Sequence, residues 1–355
     1  MNQTFLFAAS LLALGVVGCS SGTPEAPASP PADLWVYDAA DSNFADSSCA
    51  DGEPVGFAMS FIMAAEPVDL GPTEAVARAL TGVEFVKGWA LDAPLASFGG
   101  LSGLDILPGG DLLAISDAGA FVRIPFDQSA LTLQGQATLT YLRGADGEIL
   151  TGKSKADAEG LHVEDGIAFV SFERDHRVEA FAFERCGGNA RAVRVASLGA
   201  RPTGLGRSIS ENSGPEGLAL RDGELLLGLE TLVGGDGPLG VATQDSDVSF
   251  AAVPWIKADG TPLVGLDVIG DELYSLHRAY NPLTRQNAIG IRVRGADGET
   301  RTLAFMAAPL NLDNFEAIAV LPLDDQRCRI FIMSDDNFSE NQRTLLYIFE
   351  TTGPA

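Results

Sequence analysis

Five stretches of the 355-residue chain lie over one another: "LSGLDILPGGDLLAISDAG" from 101, "AEGLHVEDGIAFVSFERDH" from 158, "PEGLALRDGELLLGLET" from 215, "LVGLDVIGDELYSLHRAY" from 263 and "FEAIAVLPLDDQRCRIFIMSDDN" from 315. Each opens on a polar or small residue followed by Gly-Leu or a near relative. Each then runs through a short alternating strand to a turn and returns along a second apolar strand that ends in polar residues. Strand, tight turn, strand is a β-hairpin, and Asp165-Gly166 and Asp222-Gly223 are favoured hairpin turn pairs. The starts fall at Ser102, Glu159, Glu216, Val264 and Glu316, a spacing of roughly 50 residues. An internal repeat of that size built from strands predicts an all-β chain folded as a single β-propeller, each blade a small antiparallel sheet. Five blades are visible as repeats. "GVEFVKGWALDAP" from 82, joined to the C-terminal strand, predicts a sixth that closes the ring. A β-sandwich or a pair of barrels is the competing arrangement.

The repeat carries charge in a fixed place. In a hairpin, residues equidistant from the turn face each other across the strands. Glu159 with Glu173, Glu216 with Glu230, Ser102 with Asp117 and Val264 with His277 bracket their turns in this way, and Glu316 faces Ser334-Asp335-Asp336-Asn337 across a longer one. Inner strands of a propeller run along its axis, so these open ends should gather at one mouth of the central channel. Carboxylates at Glu159, Glu173, Glu216, Glu230, Glu316, Asp335 and Asp336 cannot crowd together ionised without a counter-charge. A hard divalent cation, Ca²⁺ foremost, is the expected ligand of such oxygens. Arg174, Arg177, Arg278 and Arg343, with Asn337, could hold an anionic group, because guanidinium forks match phosphate oxygens. His176 and His277 are candidate general acid/base groups, beside Glu159 and Glu216 as catalytic carboxylates. Cation, arginines and a proton-transfer group would suffice for phosphoester hydrolysis. The plainer alternatives are loop-capping acids and structural Arg–Glu pairs. His162, alternating with Leu161 and Val163, reads as a structural histidine.

Other chemistries lack their signatures. There is no phosphate-cradling or dinucleotide-binding glycine motif, no Gly-x-Ser-x-Gly nucleophile elbow around Ser102, and no Cys-x-x-Cys. A net charge of −25, from 23 Lys+Arg against 48 Asp+Glu, repels phosphate backbones and argues against nucleic acid as a partner.

The N-terminus points to export. Phe5 to Val17 is apolar but short, and Val16-Val17-Gly18-Cys19 reads as a lipobox that makes Cys19 the lipidated residue. A Ser/Pro/Ala tether follows over 20–35, then an extension over 36–82 whose role the sequence leaves open, and the propeller over 83–350. The expectation is a bacterial lipoprotein at the periplasmic face of the outer or inner membrane, monomeric and acting on a small anionic or ester substrate. Of the remaining cysteines Cys49, Cys186 and Cys328, the pair Cys186–Cys328 is preferred on its strand-edge contexts, with connectivity open.

"FGGLSGLDILPGGDLLAISDAG", "DAEGLHVEDGIAFVSFERDHRV", "GPEGLALRDGELLLGLE" and, above all, "DNFEAIAVLPL" with "IFIMSDDNFSENQRTLLYIF" resemble the bacterial phytase-like family, also described as esterase-like activity of phytase. The resemblance runs from about Phe85 to Phe349. It implies a propeller with recurring Glu and Asp positions and a phosphoester- or ester-hydrolysing activity. Matching positions are Ser116-Asp117, Glu159, Glu173-Arg174, His176-Arg177, Glu216, Glu230, Arg278, Asn314, Glu316, Asp335, Asp336, Asn337, Gln342 and Arg343. Where the family commonly carries Glu-Arg, this chain has His277-Arg278. The competing functional class is a propeller of the cell envelope that binds a ligand or protein at the same mouth without turnover.

Overall fold

The computed structural model describes residues 33–38, 44, 48–49, 58–324 and 327–352. Cys19, the lipobox and most of the tether lie outside the described residues.

Each repeat forms the inner two strands of one sheet. Blade I is Leu101–Ile106, Leu112–Ser116, Ala120–Ile124 and Ala137–Tyr141, and blade II is Ala158–Glu164, Ile167–Phe172, Arg177–Phe181 and Val193–Ser197. Blade III is Pro215–Arg221, Glu224–Leu229, Leu239–Ala242 and Val248–Ser249. Blade IV is Leu263–Ile269, Glu272–Asn281, Gln286–Arg294 and Thr300–Met306. Blade V starts with Asn314–Asp324 and Arg327–Asp335, then takes Thr344–Thr351 and, outside it, Val83–Asp92. The five innermost strands touch in sequence order, and the last touches the first. Their residues are buried along almost their whole length, because both faces of each sheet pack against neighbouring blades. Phe169 and Phe172 pack with Leu218 and Leu227 between blades II and III. At the seam, Leu104 and Ala114 of blade I pack with Ala319 and Phe331 of blade V.

The described residues thus form a five-bladed propeller, and the expected sixth blade is absent from them. Val83–Asp92 and the C-terminal strand do pair, from Val83↔Thr351 to Leu91↔Thr344, and they do close the ring. They do so as the outer half of blade V, since Thr344–Thr351 also pairs with Arg327–Asp335. Neither strand has a hairpin of its own to line the channel.

The extension over 36–82 also acquires a role. Tyr37 N donates to Gly223 O at the turn of blade III, and Trp35, Tyr37 and Phe44 pack edge-on against Phe169 of blade II. Cys49 forms a disulfide with Cys186 of blade II. Met59–Phe61 is added to the edge of blade I and Ala64–Pro67 to that of blade V, straddling the seam. The helix Thr73–Ala79 leads to Thr81 and Gly82, whose N–H groups donate to Leu303 O of blade IV. The described parts of this segment therefore touch every blade. The preferred Cys186–Cys328 pair is corrected by the same observation: Cys328 is a buried free thiol in blade V, which is not adjacent to blade II.

One distortion recurs in all five blades. Pairing shifts by a residue at Ser102, at Glu159, at Glu216, at Val264 and at Glu316, a β-bulge at the open end of every inner hairpin. A bulge re-aims the extra side chain and raises local twist. The next residue is Gly in four blades because neighbouring inner strands approach closely. A Cβ at Gly160 would sit 2.6 Å from Ser171 Oγ and 2.7 Å from Glu216 O of the next blade. A Cβ at Gly103 would sit 2.7 Å from Glu159 O, and one at Gly265 2.8 Å from Glu316 O. Ser171 stitches the same junction, accepting from Gly160 N at 2.8 Å and donating to Pro215 O at 2.6 Å. Gly160→Ala is expected to cost about 2–3 kcal/mol of stability by overpacking, read as a lowered midpoint in urea; an unchanged midpoint would mean the strands separate freely.

Candidate active site

Two rings of side chains meet at the mouth. The bulge positions supply Ser102, Glu159, Glu216 and Glu316, while the fifth, Val264, is buried in the core between blades IV and V. On each second strand, the residue after the partner of the pre-bulge residue supplies Asp117, Glu173, Glu230, Arg278 and Asp335. Blade IV thus brings a cation, Arg278, where the other blades bring mostly acids. Ser102, Asp117, Glu159, Glu173, Glu216, Glu230, Glu316 and Asp335 line a cavity of about 170 Å³, completed by Lys153, Asp157, Arg174, Asn212 and Asn337, with Arg278 behind Glu230 and Glu316. Beneath it Leu104, Leu161, Leu218, Leu266 and Ile318 fill the axis. The mouth is therefore a closed cup.

The carboxylates outnumber the cations. Lys153 Nζ reaches both Asp117 and Asp157, and Arg174 Nε donates to Asp157 Oδ2 at 2.7 Å. Arg278 Nη2 lies 2.8 Å from Glu230 Oε1 and 3.1 Å from Glu316 Oε1. Glu173 Oε1 accepts from Gly214 N, and Glu316 Oε1 from Asn314 Nδ2. Burial drives the proton affinities. Glu159, beside Glu316 and Glu173, and Glu216, beside Glu159 and Glu230, are held well above the usual carboxylate range. Burial pushes Glu316 up to about 8 despite Arg278, and Asp335 up to about 6. Burial opposes protonation of Lys153, yet its bonds to Asp117 and Asp157 hold it above the ordinary lysine range.

Asp157, Glu159 and Glu173 each offer an oxygen, and the three oxygens lie within 4.8 Å of one another. Asp117 Oδ1 is buried with no hydrogen-bond partner. Hard oxygen donors in excess of their counter-charge fit an oxygen-seeking divalent cation better than a soft one.

The structure brings Glu159, Glu173, Glu216, Glu230, Glu316, Asp335, Arg174, Arg278 and Asn337 together and sets the other sequence candidates apart. His277 is fully buried between sheets, with Nδ1 on Thr261 O at 2.9 Å and Nε2 on Ser275 Oγ at 3.0 Å. Burial lowers its pKa to about 4, so it is a structural, neutral imidazole. The reason is register: Leu263 pairs with His277 as Ala158 pairs with Phe172, so Arg278 is the counterpart of Glu173. His277, one residue earlier, points to the opposite face. Arg177 is likewise structural, bonded to Glu179 at 2.9 Å and Lys155 O at 2.7 Å with its guanidinium 3.9 Å from the Phe172 ring centre. His176 sits outside the cup against Ser210 O at 3.1 Å, and burial lowers its pKa. Asp336 turns away, its Oδ1 accepting from Gly100 N and Phe338 N and its Oδ2 from Thr344 Oγ1. Arg343 is exposed and bonded to Asn311 Oδ1 at 2.9 Å. His162 is buried 3.5 Å from Asp105, deep in blade II and away from the mouth.

Lys153, Asp157 and Asn212 were invisible in the repeats. Asp157 lies just upstream of Ala158-Glu159 and Lys153 begins the single helical turn Lys153–Ala156, so the only signal was position before a repeat start.

Among solved structures, a putative glucose dehydrogenase of Thermus thermophilus is 16% identical, with a TM-score of 0.35, and covers 75% of this chain and 99% of its own. The PQQ domain of a pyranose dehydrogenase from Coprinopsis cinerea is 10% identical at TM-score 0.40, over 84% of this chain and 98% of its own. An endo-arabinase from Bacteroides thetaiotaomicron is 14% identical at TM-score 0.40, over 71% and 95%. No curated protein matches the sequence significantly. The phytase-like family model, described as esterase-like activity of phytase, matches residues 96–338, and with most of its propeller so matched the chain belongs to that family.

Proposed function

We propose that this chain is an exported, lipid-anchored hydrolase that cleaves phosphoester or carboxylic ester bonds in the acidic cup, with a divalent cation, Ca²⁺, held by Asp157, Glu159 and Glu173. The observation that carries the reading is the convergence of these three oxygens within 4.8 Å among buried carboxyls that lack enough cationic partners. Bound there, such an ion would neutralise the carboxylates and supply Lewis-acid polarisation of the ester. The chain's own groups do the rest. Arg174 and Lys153 stand on one side of the cup and Arg278 on the other, where they attract and orient an anionic group. Glu216, buried and disposed to keep its proton, is placed to give it to a departing oxygen. With His277 withdrawn and His176 outside the cup, proton transfer falls to this carboxyl.

Titration with CaCl₂ should raise the melting temperature of chelator-treated protein and switch on hydrolysis of 4-nitrophenyl phosphate, bis(4-nitrophenyl) phosphate or 4-nitrophenyl acetate. Glu159→Gln should abolish the calcium-induced rise and lower kcat on the order of 10²-fold. Calcium binding without hydrolysis of any ester would favour the ligand-binding propeller, and no calcium effect on either readout would sink the metallohydrolase.

The same carboxyls set a pH dependence. Their affinity for protons is higher folded than unfolded, so their contribution to stability is fully present below the unfolded carboxylate range near pH 4.3. It is lost as pH rises through about 8, the value for Glu316. In chelator the melting temperature should therefore fall between pH 5 and pH 8, and calcium should offset most of that fall. A flat profile in chelator would show that the carboxyls are already neutralised by Lys153, Arg174 and Arg278.

The anchoring half of the reading rests on Val16-Val17-Gly18-Cys19 and is consistent with the Cys49–Cys186 disulfide, a bond typical of oxidising compartments. Cys19→Ala should release the protein from the membrane fraction of a bacterial host into the soluble fraction; retention of the variant in the membrane would refute lipid anchoring at this residue.

A further inference from the structure

A second cavity, about 480 Å³, lies beside the acidic cup. The wall between them is one strand of backbone, and its side chains alternate: Asp335 and Asn337 line the cup, Asp336 and Phe338 line the second cavity. Two features of this wall ask for an explanation. Asn337 and Phe338 both have left-handed backbone, with φ of 50° and 49°. Such a conformation is rare for a bulky side chain, costs about 1–3 kcal/mol and persists where surrounding structure enforces it, characteristically at ligand sites. Here Asp336 enforces it, since its Oδ1 takes the N–H of Phe338 at 3.0 Å and that of Gly100 at 2.9 Å. The result of this strain is to hold the Phe338 ring, 45% exposed, against Gly99-Gly100. A Cβ on Gly100 would lie 2.5 Å from that ring, so the glycines make its floor. Gly100 O also accepts from Asp117 N, which ties this floor to the cup. A large aromatic surface is thus kept at the rim of a polar site when burial would be the cheaper fate.

We propose that this second cavity is the subsite for the organic group of the ester, and that it takes an uncharged aryl group stacked on Phe338. The proposal rests on the hydrolase reading of the cup and adds the substrate class. Leu91 and Phe98 supply the apolar side of the cavity, and Glu66, Asp92 and Glu340 line the polar side. Its cation Arg343 is already bonded to Asn311 and lies 3.6 Å from Asp313. A polyphosphorylated organic group would therefore meet carboxylates there, whereas a neutral ring gains apolar contact and offset stacking. The cup holds the charged or reacting ester group, and the second cavity holds the ring that leaves.

Phe338→Ala and Phe338→Trp separate the idea from its foundation. The alanine variant is expected to raise KM for 4-nitrophenyl phosphate about tenfold relative to ethyl phosphate, a loss of the size of one aromatic contact, and the tryptophan variant to restore it. Equal changes for both esters would overturn the subsite while leaving the hydrolase intact. Saturation-transfer NMR with nitrobenzene, a neutral aryl probe, needs no turnover. The wild type and the tryptophan variant should show transfer to the ring protons and the alanine variant should not. Transfer that persists in Phe338→Ala overturns the subsite even if no ester is hydrolysed, while its loss in a protein inactive on every ester would support the subsite and refute only the hydrolase.

Discussion

The whole arrangement depends on how closely five inner strands can stand around one axis. At the Gly160 and Gly265 junctions the carbonyl of one strand occupies the space that a neighbouring Cβ would need. That approach accompanies a bulge one residue earlier that swings the preceding side chain out of the ladder, at Glu159 into the mouth. Packing and chemistry are therefore produced by the same local distortion. The small residue after the bulge lets the ring tighten, and the bulge residue is delivered to the mouth where it is an acid, as in blades II, III and V, or Ser102. The bulge fixes the place; the sequence of each blade chooses the charge.

The result is an electrostatic arrangement that stability alone would not select. Burial of Glu159, Glu216 and Glu316 together raises the cost of ionising each. The available cations are distributed unevenly, with Lys153 and Arg174 near Asp157 and Arg278 between Glu230 and Glu316. Perturbed carboxyls concentrated in one concave site are what acid/base and metal chemistry require. The deeper pair Asp105 and Asp267 shows the contrast. Each accepts a backbone N–H from the neighbouring inner strand, Val163 at 2.5 Å and Val320 at 2.6 Å, so these buried acids serve as inter-blade ties.

Much of this was legible in the chain because the repeat is strict where the channel needs it. The hairpins, the channel-mouth acids and the place of Arg174 at the mouth follow from period and alternation. His277 misled because it is ionisable and stands next to the equivalent position, and only the observed pairing shows that Arg278 holds that position. The supposed sixth blade failed because pairing between Val83–Asp92 and the C-terminal strand says nothing about which sheet they join. Asp157 and Lys153 lie in connecting segments, where no periodicity operates, and the partner of Cys186 came from a segment with no repeat at all. Interactions between distant and irregular stretches leave no local pattern to read.

The seam has a temporal consequence. Val83–Asp92 waits for Thr344–Thr351, so blade V is incomplete until Thr351 has been made. The edge strands Met59–Phe61 and Ala64–Pro67 are assigned to blades on either side of that same seam. Blades I to IV contain only locally connected strands apart from these edges and are free to form in the order of synthesis. Closure, by contrast, joins the two ends of the domain and is a single late event of high contact order. Glu316 and Asp335 arrive with blade V, so the ring of cup carboxylates is completed only at closure. The last of the like charges is added when the rest of the molecule is present to hold it.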